Sequence, residues 1–210
     1  MPPVGPGQAR RAQSTLVGAT ERATGLDAWR APLVLVHTAL DEANQARALL
    51  AEIVGGMAGS PTGLGWSATL ATLAEACARL GDTEAVDELT TALAPYTGQL
   101  IVVGTGFGCL GAADRYLAML AATGGRLAEA EPLFKEALTL EQSVGSAPLV
   151  TRTRVAHARA LVRSGHADDV RRATPLLDAA AHTAQRLGMA GVVHEIETLR
   201  RGRPRTTVRD

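Results

Sequence analysis

Four times along this chain an alanine, an apolar residue four positions on and another three further recur as a set: Ala46/Leu50/Ile53, Ala85/Leu89/Ala92, Ala130/Phe134/Ala137 and Ala173/Leu177/Ala180. Offsets of four and seven fall on one face of an α-helix. The sets lie 39, 45 and 43 residues apart. A repeat of that length means helical pairs, each hiding its apolar stripe against its neighbours. In GAADRYLAMLAATGGRLAEAEPLFKEALTLE (111–141) both halves carry such a stripe, and Gly124-Gly125 ends one helix and opens the turn to the next. The small-large-small order Ala130, Phe134, Ala137 lets two helices approach closely around one ring.

Four hairpins are predicted, at Asp27–Val54, Leu64–Tyr96, Gly111–Glu141 and Pro148–Gly188, with a last helix over Met189–Leu199 sealing the C-terminal end. The helical domain then covers 26–199. A flexible segment with a weak helix over Ala12–Thr24 precedes it at 1–25, and a disordered, Arg-rich tail follows at 200–210. The spacing exceeds the roughly 34 residues of a tetratricopeptide unit. The excess falls in loops at 55–63, 97–110 and 142–147. Pro175 interrupts the second helix of the fourth unit. Either that helix starts with Thr174 as its cap, or it kinks at the proline.

Composition agrees with an all-α chain. Hydrophobic residues make up 46% and aromatics only 3%, so the core is built from Ala, Leu and Val. Net charge is +0, which argues against direct nucleic-acid binding. Arginine supplies 20 of the 21 basic residues, Lys135 being the one lysine, a bias read as GC-rich genome composition. Two cysteines, Cys77 and Cys109, do not make a disulfide framework. No apolar run reaches the length of a membrane span, and the N-terminus has no signal-peptide pattern. The expectation is a cytoplasmic protein without membrane association.

The segments WSATLATLAEACARLGD (66–82), LAPYTGQLIVVGTG (93–106), GAADRYLAMLAATGGRLAEAEPLFKEAL (111–138) and RTRVAHARALVRSG (152–165) resemble, in order and spacing, the C-terminal helical region of large bacterial ATP-dependent transcriptional regulators, of the LuxR-type and adenylate-cyclase-like kinds. The resemblance covers about residues 27–199. It implies a right-handed tetratricopeptide-like array of about four hairpins that receives an effector or partner. The nucleotide-binding part is missing: there is no GxxxxGK[ST] loop, and no helix-turn-helix is apparent.

Gly106-Phe107-Gly108-Cys109-Leu110-Gly111 matches GxGxxG after an apolar run, Leu100–Val103, and before a helix. Glycines there would let backbone amides meet a pyrophosphate. The rest of a strand–helix–strand unit is absent, so the motif reads as a glycine-rich connector whose extended run packs on the helices. Anion binding at the start of the 111 helix is the less demanding variant.

The candidate binding face comes from the register of the repeats. With Ala130 at the small position of a second helix, Arg115 and Met119 project from the first helix into the concave groove. Arg152 and Arg159 do so in the fourth unit, and Leu70 and Cys77 in the second. Asp114, Arg115 and Tyr116 form the most polar cluster beside a core face. Such a groove suits an acidic peptide or an amphiphilic small molecule, although for any one of these arginines a solvated or ion-paired state is the favoured reading. Glu129, Glu131, Glu136 and Glu141 read as a solvated helix face, and Cys77 as buried and inert.

The five histidines are scattered without metal-ligand spacing, and no GxSxG appears. No catalytic residue, metal or cofactor is therefore assigned. The expected function is a non-enzymatic binding or scaffold module for a protein segment or small effector, with Arg115, Tyr116, Met119, Arg152, Arg159 and Leu70 as binding residues. The alternatives are an enzyme or ligand-binding protein of a biosynthetic pathway, and a structural homodimer.

Overall fold

A computed structural model of the protein describes residues 27–57, 65–104 and 106–202, together with residues 10, 13 and 15. The expected weak helix at 12–24 and the tail beyond residue 202 lie almost wholly outside them.

The described residues are mostly helical, with one small two-stranded sheet among them. In order, α1 is Asp27–Ala39, α2 Ala43–Gly56, α3 Trp66–Leu80 and α4 Val86–Leu93. Strands β1 (Leu100–Val103) and β2 (Gly108–Ala112) follow. Then come α5 Ala113–Thr123, α6 Leu127–Ser143, α7 Ala147–Ser164, α8 Ala167–Arg186 and α9 Ala190–Arg201. Each pair α1/α2, α3/α4, α5/α6 and α7/α8 packs together, and α1, α3, α5 and α7 each contact the next in that series.

The repeated stripes explain the packing. Ala46, Leu50, Ile53, Leu89, Ala130, Phe134, Ala137, Ala173, Leu177 and Ala180 are all buried. Burying each of the leucines, the isoleucine and the phenylalanine stabilises a fold by about 1.5–3 kcal/mol, and each alanine methyl by about 0.8 kcal/mol. One apolar cluster joins α1 through α6, and a second joins α7, α8 and α9. No helix among the described residues is long and apolar enough to cross a membrane.

Three expectations need correction. The fourth unit's second helix does not begin at Thr174: α8 starts at Ala167 and carries Pro175 inside it. Asp168 and Asp169 in its first turn suit the positive end of the helix dipole. Residues 97–110 are not all loop, because β1 and β2 pair antiparallel there. The glycines of the GxGxxG match thus belong to a β-hairpin, and β2 separates the first of them from the helix at 113, so the run lacks the strand-to-helix turn of a dinucleotide fold. Finally, α9 does more than close one end. It packs on α8 and α7, and its Glu195 reaches Arg79 on α3. Its last residues, Arg200 and Arg201, belong to the expected tail yet are helical.

One joint between α6 and α7 carries a titratable group. His157 stacks on Phe134 with ring centroids 4.7 Å apart. Neither of its ring nitrogens has a hydrogen-bond partner among the described residues. Burial lowers its pKa; Glu131 works the other way, and Arg172 and Lys135 add to the lowering. The folded protein therefore binds this proton less readily than the unfolded chain does. The stability from neutral His157 is complete above its unfolded pKa, about 6.5, and is lost as pH falls below it. In urea titrations, His157→Phe should lose less stability than the parent between pH 7.5 and pH 5.5. Equal losses would mean that His157 binds its proton equally well in the folded and the unfolded protein.

Candidate functional site

The β-hairpin sets the geometry of the polar interior. Ile101 pairs with Gly111 and Val102 with Cys109, so Leu110 is an extra residue in β2 and forms a bulge. Its carbonyl accepts a hydrogen bond from Arg115 Nη2 and another from the Tyr116 hydroxyl, the latter at 2.8 Å. The same Arg115 nitrogen donates to the Tyr116 hydroxyl, and the Arg115 guanidinium lies over the Tyr116 ring, 4.6 Å from its centre. Both neighbours in the sequence are buried as well. The Asp114 carboxylate accepts the Gly98 backbone N–H at 2.9 Å, which fixes the chain entering β1.

Glu141 is the largest departure from expectation. Read as solvated, it is fully buried. Its carboxylate accepts the Ala112 backbone N–H at 3.1 Å and the Thr153 hydroxyl at 2.6 Å. It stands four residues after Ala137, so it continues the buried stripe of α6. Gly111 makes room for it: with φ at +106°, a Cβ there would lie 2.7 Å from Glu141 Oε1 and 3.2 Å from the Arg115 guanidinium.

Arg115 is only 3% exposed. Burial opposes its charge, but the oxygens of Tyr116, Glu75 and Glu141 outweigh that and hold its pKa above the ordinary value. Its Nη2 is occupied, while Nε and Nη1 have no hydrogen-bond partner among the described residues. A buried donor left this way costs about 1–3 kcal/mol.

Arg115 lines a narrow recess with ≈ 20 Å³ of enclosed space. Four helices supply the walls: Glu75 and Arg79 from α3, Arg115 and Met119 from α5, Arg152, Val155, Ala156 and Arg159 from α7, and Val192 and Glu195 from α9. Counted from Arg152 on α7, or from the first lining residue of the other helices, these residues are three, four or seven apart, so each helix offers one face. Beside the recess is a second hollow of ≈ 20 Å³ that shares Met119, Ala156 and Arg159. Its other lining is Ala78, Ala122, Thr123, Ala160 and Arg163, which makes it largely apolar.

Charges in the recess are partly paired. Arg79 donates from Nε and Nη2 to Glu75 Oε1, at 3.0 and 2.8 Å. Glu195 bridges Arg159, which it contacts closely, and Arg79 at 3.4 Å. Burial pushes the Glu75 carboxyl up, but Arg79, Arg115 and Arg159 outweigh it and hold its pKa at about 2. Four arginines face two glutamates in the lining, with Glu141 behind Arg115 as a third. Arg152 is the cation left over: it is exposed, and no carboxylate or hydrogen bond holds it among the described residues.

Of the residues picked out from the sequence, Arg115, Met119, Arg152 and Arg159 come together in this recess. Tyr116 stands behind it, orienting Arg115. Leu70 and Cys77 do not line it. Both are fully buried among apolar neighbours, because α1, α2, α4 and α5 pack around α3. Burial pushes the Cys77 thiol up to about 12, Asp82 adds to this, and Arg163 opposes it. Sequence reasoning missed Glu75, Arg79 and Glu195. The signal for the first two was present, since they are the only charged residues of α3 and lie four apart. Among the described residues no group of His, Cys, Asp and Glu is placed to hold a metal ion.

No protein-family model, no curated protein and no solved structure matches the chain.

Gly111 can be tested against a glycine of the same backbone conformation. Gly106 has φ +108° with nothing within 4 Å of an added Cβ. Gly106→Ala should cost about 1–2 kcal/mol through backbone strain alone. Gly111→Ala should cost at least about 1 kcal/mol more in chemical denaturation, since Glu141 must also move. Equal costs would show that Glu141 gives way freely.

Proposed function

We propose that the protein is a non-enzymatic binding module that takes an acidic group of a protein segment or small effector into the recess between α3, α5, α7 and α9. The observation that carries this reading is Arg115, buried with two unbonded nitrogens beside an Arg152 that has no counter-charge. Buried guanidinium donors normally have acceptors, and a carboxylate or phosphate oxygen supplies the strongest kind. In this reading Arg152 at the rim attracts the anion, and Met119 with the alanine-lined hollow takes an apolar portion beside it.

The fold fits a tetratricopeptide-like array whose first helices line the binding face. The order and packing of the hairpins support that description. With the resemblance of 27–199 to the helical region of bacterial transcriptional regulators, the module is read as the sensor-type part of such a protein. A second reading, a small-molecule-binding protein of a biosynthetic pathway, is less well served by the recess: its enclosed space is ≈ 20 Å³, room for about one water, against roughly 300–1,000 Å³ for small-molecule sites. Catalysis is poorly supported. The lining holds no His, Cys or Ser, and a glutamate with a pKa of about 2 is a weak base.

Calorimetric titration with acidic probes, inorganic phosphate and glutarate first, tests the reading. Arg152→Gln should weaken binding about tenfold, as loss of one charged hydrogen bond does. It should leave the unfolding midpoint nearly unchanged, because Arg152 is exposed and unpaired. Absence of binding by the parent protein, or affinity unaltered in Arg152→Gln, would refute it.

A further inference from the structure

We infer that Glu195 is a built-in competitor for the recess: an oxyanion that enters takes the place of the Glu195 carboxylate on Arg159 and Arg79, and α9 loosens as a result. This rests on the recess being a binding site, and it adds which internal group the ligand displaces and which helix reports it.

The observations begin with the bonds Glu195 makes. Arg79 is held tightly by Glu75 on its own helix, and its second contact, to Glu195, is the longer one at 3.4 Å. Arg159 has Glu195 as its carboxylate partner. Glu195 therefore stands on these two guanidiniums where a ligand carboxylate or phosphate would stand. It stays 23% exposed, so solvent and solutes reach it. The longer contact, to Arg79, joins side chains 36% and 23% exposed, so water screens it and it exchanges readily.

The rest of α9 is lightly held. It buries two residues, Val192 and Ile196, with Val193 and Leu199 half-buried against the same cluster, and Val192 itself lines the recess. Its other side-chain anchor, Arg200 on Asp178, joins two exposed groups. A ligand seated against Val192 and competing with Glu195 thus acts on two of the contacts that keep α9 in place. Helices with few buried apolar contacts open first. The donors left unbonded on Arg115 and the free charge of Arg152 give an incoming oxyanion contacts that Glu195 does not make. That difference is what lets a ligand win against a resident carboxylate.

Two readouts test this: binding of inorganic phosphate and of glutarate by calorimetry, and hydrogen exchange of the backbone amides from 192 to 199. Saturating probe should speed exchange across that segment in the parent protein. Glu195→Gln should bind the same probe about tenfold tighter, because the competing state is removed, and should exchange faster there without any probe. Glu197→Gln, the same charge change at an exposed site on the same helix, should bind as the parent does. The inference is overturned if Glu195→Gln binds no tighter, if Glu197→Gln tightens binding equally, or if saturating probe leaves exchange in α9 unchanged. The exchange measurement on the parent decides the matter even if Glu195→Gln fails to fold. Binding that is lost in Arg152→Gln but indifferent to Glu195 would remove this inference and leave the recess as the site. Binding by neither parent nor Glu195→Gln would remove both.

Discussion

The bulge at Leu110 is the constraint on which the polar interior depends. An extra residue in one strand leaves a carbonyl outside the ladder, and in a buried position that carbonyl must find donors. Arg115 and Tyr116, five and six residues on, provide them from the first turn of α5. An arginine is thereby drawn into the interior by the backbone rather than by a carboxylate. Once there, its charge has to be balanced, and Glu141 and Glu75 lie close enough to do so. Gly111, with no Cβ and a positive φ, is the residue that admits Glu141 to this position.

The recess follows from the same arginine. Buried charges are tolerated only when opposite charges and hydrogen bonds surround them, and here the compensation is shared across four helices. Glu75 is neutralised largely by Arg79 on its own helix. Glu195 arrives from the far end of the described chain and is divided between Arg159 and Arg79. The balance is uneven: Glu141 and Glu75 act on Arg115 electrostatically, yet two of its nitrogens lack a bonded acceptor. Perturbed charges of this kind occur in functional sites and in purely structural networks alike; the unbonded nitrogens are what the proposed reading adds.

The helices were legible in the sequence because the apolar period sets them, and the four stripes fixed which residues face inward. The hairpin of β1 and β2 was not legible, since its glycines match both a phosphate loop and a plain connector, and strand pairing is a tertiary event. Leu70 was placed on the binding face by register alone, but α3 is surrounded by four other helices, so almost every side of it is buried. Glu141 was misread by residue type. Its position on the stripe after Ala130, Phe134 and Ala137 marked it as interior, and that periodicity should have outweighed the preference of glutamate for water. Glu195 could not be found locally, because its partner Arg79 is 116 residues away.

Alanine explains why the recess is narrow. Small residues let helix backbones come close, so a face built from Ala78, Ala122, Ala156 and Ala160 leaves hollows instead of an open channel. The long side chains of Arg79, Arg115, Arg152, Arg159 and Met119 then fill most of the remaining space. Such a surface cannot swallow a folded partner or a full helix. On the proposed reading it admits a terminal group, charged at its tip and slender behind, and only by moving a side chain already present. Selectivity would then come from exchange of one carboxylate for another oxyanion, and affinity would be the difference between the two.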